Sequence, residues 1–179
     1  MTLVDQQPPT KSSSPNEEDR HPTLSDFLVK TVDKESDRLG QLNDFFNSPQ
    51  IKSELHWFTH RDTLERAAVR NDRKLYYYRP FDEILGGLMV WCESRVLEDH
   101  QAQIRLVAVH PAYREYGIGR YLVKSAIKFA KVWEKSTMIA DVAADASAVG
   151  FWKACGFHQV DQYQTKGGRE MYQMQRRIN

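Results

Sequence analysis

The pattern of apolar and polar residues divides the chain into a series of strands and helices. The clearest helical period lies in residues 117–135, where an apolar residue returns every three or four positions. Shorter helical periods occupy residues 33–48, 61–72 and 146–155. Strand-like runs cover residues 27–32, 74–80, 83–94, 104–111, 137–144, 156–164 and 170–178.

The order of these elements predicts a fold class. It reads β, α, α, β, β, β, α, β, α, β, β, and a short turn joins 74–80 to 83–94 as an antiparallel hairpin. The helix over 117–135 lies between two strands, which predicts a right-handed crossover joining parallel strands. We therefore expect an α+β (mixed α/β) fold: a mixed, mostly antiparallel sheet with one parallel strand pair and helices on both faces.

The first residues differ from the rest in composition. Residues 1–23 are rich in proline, serine and charged residues and bury little apolar surface, so we expect a disordered tail. Residues 24–179 are long enough to form one domain with its own core.

Composition and charge exclude several classes of protein. With 41% apolar residues, 27% charged residues and a net charge of +1, the chain has no global attraction to nucleic acid or to an anionic membrane. The apolar-rich stretch 84–91 is too short to cross a bilayer. Cys92 and Cys155 are the only cysteines, which favours a reducing compartment. We expect a cytoplasmic protein without membrane contact.

Candidate chemistry lies at the start of the longest helix. A helix N-terminus presents unpaired N–H groups, and Gly117 and Gly119 leave room for a phosphate to reach them. Arg114 and Arg120 add positive charge. Spacing alone equally allows a tight strand-to-helix turn. Leu122 replaces the third glycine of a dinucleotide fingerprint, and the Gly-Lys-Ser/Thr ending of a nucleotide-triphosphate loop is missing.

Two stretches of the chain match motifs of one known family. The stretch LVAVHPAYREYGIGRYL, with Arg114, Gly117 and Gly119 at the fixed positions, resembles the acetyl-CoA-binding motif of the GNAT-type N-acetyltransferases. The stretch DASAVGFWKACGF resembles their later motif, with matching residues at Asp145, Ala148, Phe151, Trp152, Gly156 and Phe157. The element order from 27 to 178 also fits, and only the tail and residues 48–60 fall outside the resemblance.

The resemblance implies a cofactor site and a reaction. Acetyl-CoA, as acyl donor, is expected between splayed strands at 104–109 and 137–144, where an amine attacks the thioester directly and no metal takes part. The strand would hold the pantetheine arm and the turn would wrap the pyrophosphate. The implied cofactor-binding residues are Val107, Ala108, Val109, Arg114, Glu115, Tyr116, Gly117, Ile118, Gly119, Arg120, Asp145 and Trp152.

Two positions depart from the family pattern, and the general base stays open. Trp152 stands where many relatives carry a tyrosine acid, and an indole has no proton to give in the useful range. Asp145 replaces the usual asparagine. Asp141 and Glu93 are the candidate bases, each weighed against a plain surface or strand-end charge. The pair His56 and His60 lacks a third ligand, so we expect no metal site.

Three functions follow as alternatives. The first is an N-acetyltransferase acting on an amine of a small molecule or protein. The second is a catalytically degenerate acyl-CoA-binding sensor or scaffold, and the third is an acetyltransferase for a nucleic-acid or aminoacyl-tRNA amine, for which the basic stripe from Arg120 to Lys135 is the hint. The acceptor loops implied by the resemblance, 48–60 and 163–170, carry no readable specificity code. Homodimer formation stays open.

Overall fold

Seven strands and five α-helices make up the part of the chain that the computed structural model describes, residues 29–32, 37–56, 58–145 and 147–178. The strands are β1 Val29–Thr31, β2 Arg73–Tyr78, β3 Gly86–Trp91, β4 Gln101–Val109, β5 Thr137–Ala143, β6 His158–Gln164 and β7 Glu170–Arg177. The helices are α1 Arg38–Asn47, α2 Pro49–Leu55, α3 Arg61–Val69, α4 Ile118–Val132 and α5 Ala148–Ala154. The predicted tail over 1–23 lies outside the described residues.

The strands form one mixed sheet in the order β1-β2-β3-β4-β5-β7-β6. Every neighbouring pair is antiparallel except β4 and β5, which are parallel and joined through α4. This confirms the predicted fold class and the parallel strand pair joined through a helix.

Helices cover both faces of the sheet because each presents one apolar side. The inner side of α4 packs on one face through Leu122, Ala126 and Ala130, together with Trp152 of α5. The other face is covered by α1, α2 and α3, whose buried residues are Leu39, Leu42, Phe45, Phe46, Ile51, Leu64 and Ala67.

The segment between α1 and α3 is a helix that the sequence analysis did not predict. Ser48 stands at the N-cap position of α2 in an extended conformation, and Pro49 at the first position has a ring-fixed φ suited to a helix start. The segment after α2 is tied to the end of α1 by Asn47. The Asn47 side chain accepts from the Thr59 N–H at 2.9 Å and donates to the Thr59 carbonyl at 2.8 Å. Asn43 donates to the same carbonyl at 2.9 Å, so α2 is held against α1.

A β-bulge in β4 separates the two parallel strands. β4 pairs with β5 only from Gln101 to Ile104. At that level the register with β3 shifts: Val90 lies opposite Ile104 and Met89 opposite Leu106, so Arg105 is an extra residue. From this bulge onward β4 stays paired with β3 but leaves β5, which opens a gap in the sheet.

Candidate active site

A cavity of about 1150 Å³ occupies the gap between β4 and β5. Its walls come from the β4 segment after the bulge, the turn before α4, the first part of α5, the last residues of β5 and one side of α2. Of the residues expected to bind the cofactor, Tyr116 is not among those that line it; its side chain is partly exposed to solvent. The structure brings these predicted residues together around the cavity: Val107, Ala108, Val109, Arg114, Glu115, Gly117, Ile118, Gly119, Arg120, Asp145 and Trp152.

The turn before α4 exposes main-chain donors to the cavity. Glu115 and Gly117 have positive φ values of 69° and 86°, and Gly117 is the N-cap of the helix. The N–H of Tyr121 donates to the Gly117 carbonyl at 3.1 Å as the first helical turn closes. The N–H groups of residues 118–120 therefore have no acceptor inside the helix, and the helix dipole makes this end attractive to an anion.

Gly119 has a packing role that the sequence did not show. A Cβ at this position would lie 2.9 Å from a ring carbon of Phe151 and 3.6 Å from a methyl group of Val109. The ring of Phe151 therefore fills the space beside the helix start. Gly117 differs, since a Cβ there would make only an ordinary contact with the Tyr121 ring at 4.0 Å, and it is the left-handed backbone that favours glycine.

Arg114 connects the turn to α2 across the cavity. Its guanidinium pairs with the Glu54 carboxylate, and its Nε donates to the Val109 carbonyl at 3.3 Å. Both side chains of the ion pair are partly exposed, at 40% and 48%. An element missed by the sequence analysis therefore contacts the arginine of the first motif.

A second ion pair lies at the other side of the cavity. Arg169, from the turn between β6 and β7, donates to Asp145 at 3.1 Å, and this bond lowers the pKa of the exposed carboxyl. Both residues line the cavity. Segments 48–60 and 163–170, the implied acceptor loops, thus each contribute residues to the cavity.

Trp152 forms an inner wall rather than an exposed surface. Its side chain is 4% exposed, with ring centroids 5.3 Å from Phe151 and 4.8 Å from Phe157. Both contacts are edge-to-face, the favourable geometry for aromatic pairs. The indole is thus part of the core beneath the cavity.

The two candidate bases lie in different places. Asp141, on β5 just after the last residue paired with β4, lines the cavity. Its burial raises the pKa of the carboxyl above the ordinary aspartate value, against the opposing effect of Arg105. Glu93 follows the far end of β3, is exposed and lies near Arg70, away from the cavity. The structure therefore brings one of the two candidates to the gap.

Sequence reasoning missed several residues that line the cavity or contact the candidate general base. Ser48 followed by proline was an available signal for α2, and with it for Glu54. A glutamine and an arginine inside an apolar strand, Gln103 and Arg105, were the signal for a polar contact at the bulge. Arg169 gave no local signal, because only the closing hairpin brings it to Asp145.

Comparison with known families identifies the class of protein. Residues 41–157 match the model of the acetyltransferase (GNAT) family, so the chain belongs to that family. A comparison with curated proteins gives no match.

Solved structures share the fold at low sequence identity. They include yncA from Salmonella typhimurium with its cofactor acetyl-CoA, with 19% identity, a TM-score of 0.67 and coverage of 85% of this chain and 94% of that chain. An aminoglycoside 6′-N-acetyltransferase complexed with coenzyme A has 13% identity and a TM-score of 0.68, with coverage of 85% of this chain and 97% of that chain. A GNAT-family acetyltransferase from Streptococcus pneumoniae has 15% identity and a TM-score of 0.66, with coverage of 85% of this chain and 99% of that chain.

The described residues hold no group of three or more His, Cys, Asp or Glu side chains arranged to bind a metal ion. Within the same part of the chain, no helix combines the length and the apolar character needed to span a bilayer.

Proposed function

We propose that this protein transfers an acetyl group from acetyl-CoA to an amine of a small molecule or a protein. The observation that carries the proposal is the gap after the β4 bulge, with a helix N-terminus at its edge. Residues 107–109 pair with β3 on one side and have no strand on the other, so main-chain groups on the open side, apart from the Val109 carbonyl that accepts from Arg114, are available to a pantetheine arm. The N–H groups of residues 118–120, with Arg114 and Arg120, would bind the pyrophosphate.

The reaction needs a proton acceptor, and Asp141 fits this role. The bound thioester supplies the acetyl group: the amine nitrogen forms a bond to its carbonyl carbon, the carbon–sulfur bond breaks, and the sulfur leaves with the electron pair. Asp141 accepts the proton that the amine loses, directly or through a water, and a raised pKa makes this carboxylate a better base near neutral pH. Trp152 cannot protonate the thiolate, so that proton comes from solvent.

Binding and turnover are tested separately. Calorimetric titration with acetyl-CoA should show binding, and a thiol-detecting assay with a panel of amines should show release of coenzyme A. Asp141→Asn should keep binding and lose turnover. Lack of binding by folded protein at millimolar acetyl-CoA would contradict the proposal.

A catalytically degenerate acyl-CoA sensor is the second candidate, and the buried indole of Trp152 favours it. The sensor predicts binding without thiol release for every amine.

The third candidate, an enzyme acting on a nucleic-acid amine, is supported by the solvent-exposed cations of α4, Arg120, Lys124, Lys128 and Lys131. It predicts RNA affinity that falls steeply with salt. We place the protein in the cytoplasm, since both cysteines are buried free thiols.

A further inference from the structure

Gln103 is a buried polar side chain next to the candidate base. It lies on β4, two residues before the bulge, and its residue is 4% exposed. A buried amide is costly unless both of its ends are hydrogen-bonded. Both ends of Gln103 are satisfied, and both partners belong to the edge of the cavity.

The two hydrogen bonds of Gln103 form a hydrogen-bond chain in which every donor points toward Asp141. Arg105 donates from Nη1 to Gln103 Oε1 at 3.0 Å, and Gln103 donates from Nε2 to Asp141 Oδ2 at 2.8 Å. A guanidinium can only donate and an ionised carboxylate can only accept. The amide between them therefore has one satisfied orientation.

Arg105 is itself held in place at the other end of the chain. Its guanidinium lies 4.8 Å from the ring centroid of Trp91, and that of Arg73 lies 3.7 Å from the same centroid. Cation–π contacts of this kind orient an otherwise flexible side chain. The chain thus runs from a fixed aromatic ring on β3 to the carboxylate on β5.

Donors from three strands surround the carboxylate of Asp141. Oδ2 accepts from Gln103 at 2.8 Å. Oδ1 is buried and has no partner in hydrogen-bond geometry among the described residues. The side chains of Gln173 on β7 and Tyr163 on β6 nevertheless favour the ionised carboxylate as nearby donors, and Arg105 on β4 favours it through its charge. Gln103 is therefore the donor whose hydrogen-bond geometry fixes this carboxylate.

We propose that Gln103 is a positioning residue, which fixes the Asp141 carboxylate through Oδ2 for its role as acceptor of the amine proton. This inference rests on the proposed function. The proton moves from the amine nitrogen to the Asp141 carboxylate, directly or through a water, as the nitrogen–carbon bond forms, and it leaves to solvent after the coenzyme A thiolate departs. Gln103 exchanges no proton. It sets the orientation and the basicity of the carboxylate.

The loss of the hydrogen bond from Gln103 to Asp141 should shift the pH–rate profile in a known direction. A hydrogen bond from Gln103 and the charge of Arg105 both favour ionised Asp141 and lower its pKa. Removing either one raises that pKa, and a base works only when deprotonated. The acidic limb of the kcat/KM profile should therefore move to higher pH in Gln103→Met, by about one pH unit. The KM for acetyl-CoA should stay unchanged, since Gln103 lies outside the turn and residues 107–109.

The experiment compares the wild type with four variants by pH–rate profile: three single substitutions and the double variant Gln103→Met with Arg105→Met. Gln103→Met removes both hydrogen bonds while keeping side-chain length. Arg105→Met removes the exposed, arginine end of the hydrogen-bond chain without altering a buried residue. Gln175→Met, a glutamine of β7 paired with Ile139 rather than with Asp141, is the matched control. We expect upward shifts in the first two, none in the control, and in the double variant a shift smaller than the sum.

A second measurement separates this inference from the proposed function. Carbon-13 NMR titration of the Asp141 carboxyl reports its pKa without any turnover. A higher pKa in both variants, with no coenzyme A release from any of the proteins, would support the positioning contact and contradict the proposed reaction. Turnover with an acidic limb and a carboxyl pKa that Gln103→Met leaves unchanged would overturn the inference. If Gln103→Met fails to fold, Arg105→Met decides by the same two readouts.

Discussion

Trp152 shows how a single residue can serve the core and the cavity together. Its indole packs between Phe151 and Phe157 and also lines the gap. Trp152→Phe should keep most of this contact and retain acetyl-CoA binding. Trp152→Ala should lower the free energy of unfolding by about 3–5 kcal/mol and weaken binding, because it leaves a cavity under the thioester position.

Thermal denaturation and calorimetric titration of both Trp152 variants check this expectation. Trp152→Tyr is the informative third variant, since it restores a hydroxyl at the position where many relatives carry a tyrosine acid. A rate above that of the wild type would show that the hydroxyl reaches the sulfur. An unchanged melting temperature and affinity in Trp152→Ala would contradict the placement of this residue.

At the scale of elements, the contact between α4 and α5 depends on Gly119. A valine there would press on the Phe151 ring, because even a Cβ lies 2.9 Å from it. We expect Gly119→Val to lose acetyl-CoA binding and about 1–3 kcal/mol of stability. The room for a phosphate that the sequence indicated accounts for the lost binding, and the contact with Phe151 accounts for the lost stability.

A double variant separates the two roles of Gly119. Gly119→Val with Phe151→Leu gives the new side chain room and should recover part of the melting temperature. If phosphate access to the helix start is the reason for glycine, acetyl-CoA affinity stays low in calorimetry. Recovery of affinity along with stability would mean that the glycine serves packing alone.

The contact between α2 and the turn makes a different prediction. Glu54 pairs with Arg114, the arginine expected at the pyrophosphate, so the carboxylate competes with the cofactor for the same guanidinium. Glu54→Gln should therefore tighten acetyl-CoA binding. The gain should be a few-fold at most, because partly exposed ion pairs contribute about 0–1 kcal/mol.

Calorimetric titration of Glu54→Gln at low and high salt measures this competition. The advantage over the wild type should shrink as salt screens the ion pair. Ser53→Ala, on the same helix beside the cavity, is the control and should leave the affinity unchanged. Weaker binding in Glu54→Gln would show that Glu54 orients Arg114 instead of competing for it.

At the scale of the whole molecule, local patterns predicted the fold better than the site. The apolar period of residues 117–135 and the strands on either side were enough to predict the parallel crossover. The bulge at Arg105 was not predictable, because it is defined by the pairing with β3 and not by β4 itself. The contacts of Arg169 and Gln103 join residues 24 and 38 positions away, so no local pattern identifies their partners.

The pH dependence of stability links the site to the whole fold. Burial raises the pKa of Asp141 above its unfolded value, so the protonated form is favoured in the folded protein. The stability that this provides is present at low pH and is lost as the pH rises through the folded pKa. At neutral pH the ionised carboxylate therefore costs stability. Asp141→Asn should melt at a higher temperature than the wild type at pH 7.5, and the two should converge as the solution is acidified.

Asp145 provides a control of opposite sign at the same cavity. Arg169 lowers the pKa of the Asp145 carboxyl. The contribution of this carboxylate to folding stability is therefore present above the unfolded pKa and is lost as the pH falls through the folded pKa. Asp145→Asn should thus melt slightly lower than the wild type at pH 7.5, a small effect because the side chain is exposed. Melting curves of the three proteins between pH 4 and pH 8, as a rough working range for carboxyl titration, test both signs. If Asp141→Asn lowers the melting temperature at pH 7.5, the hydrogen bonds to the ionised carboxylate outweigh its burial, and Asp141 would be a stabilising residue and a weaker base than proposed.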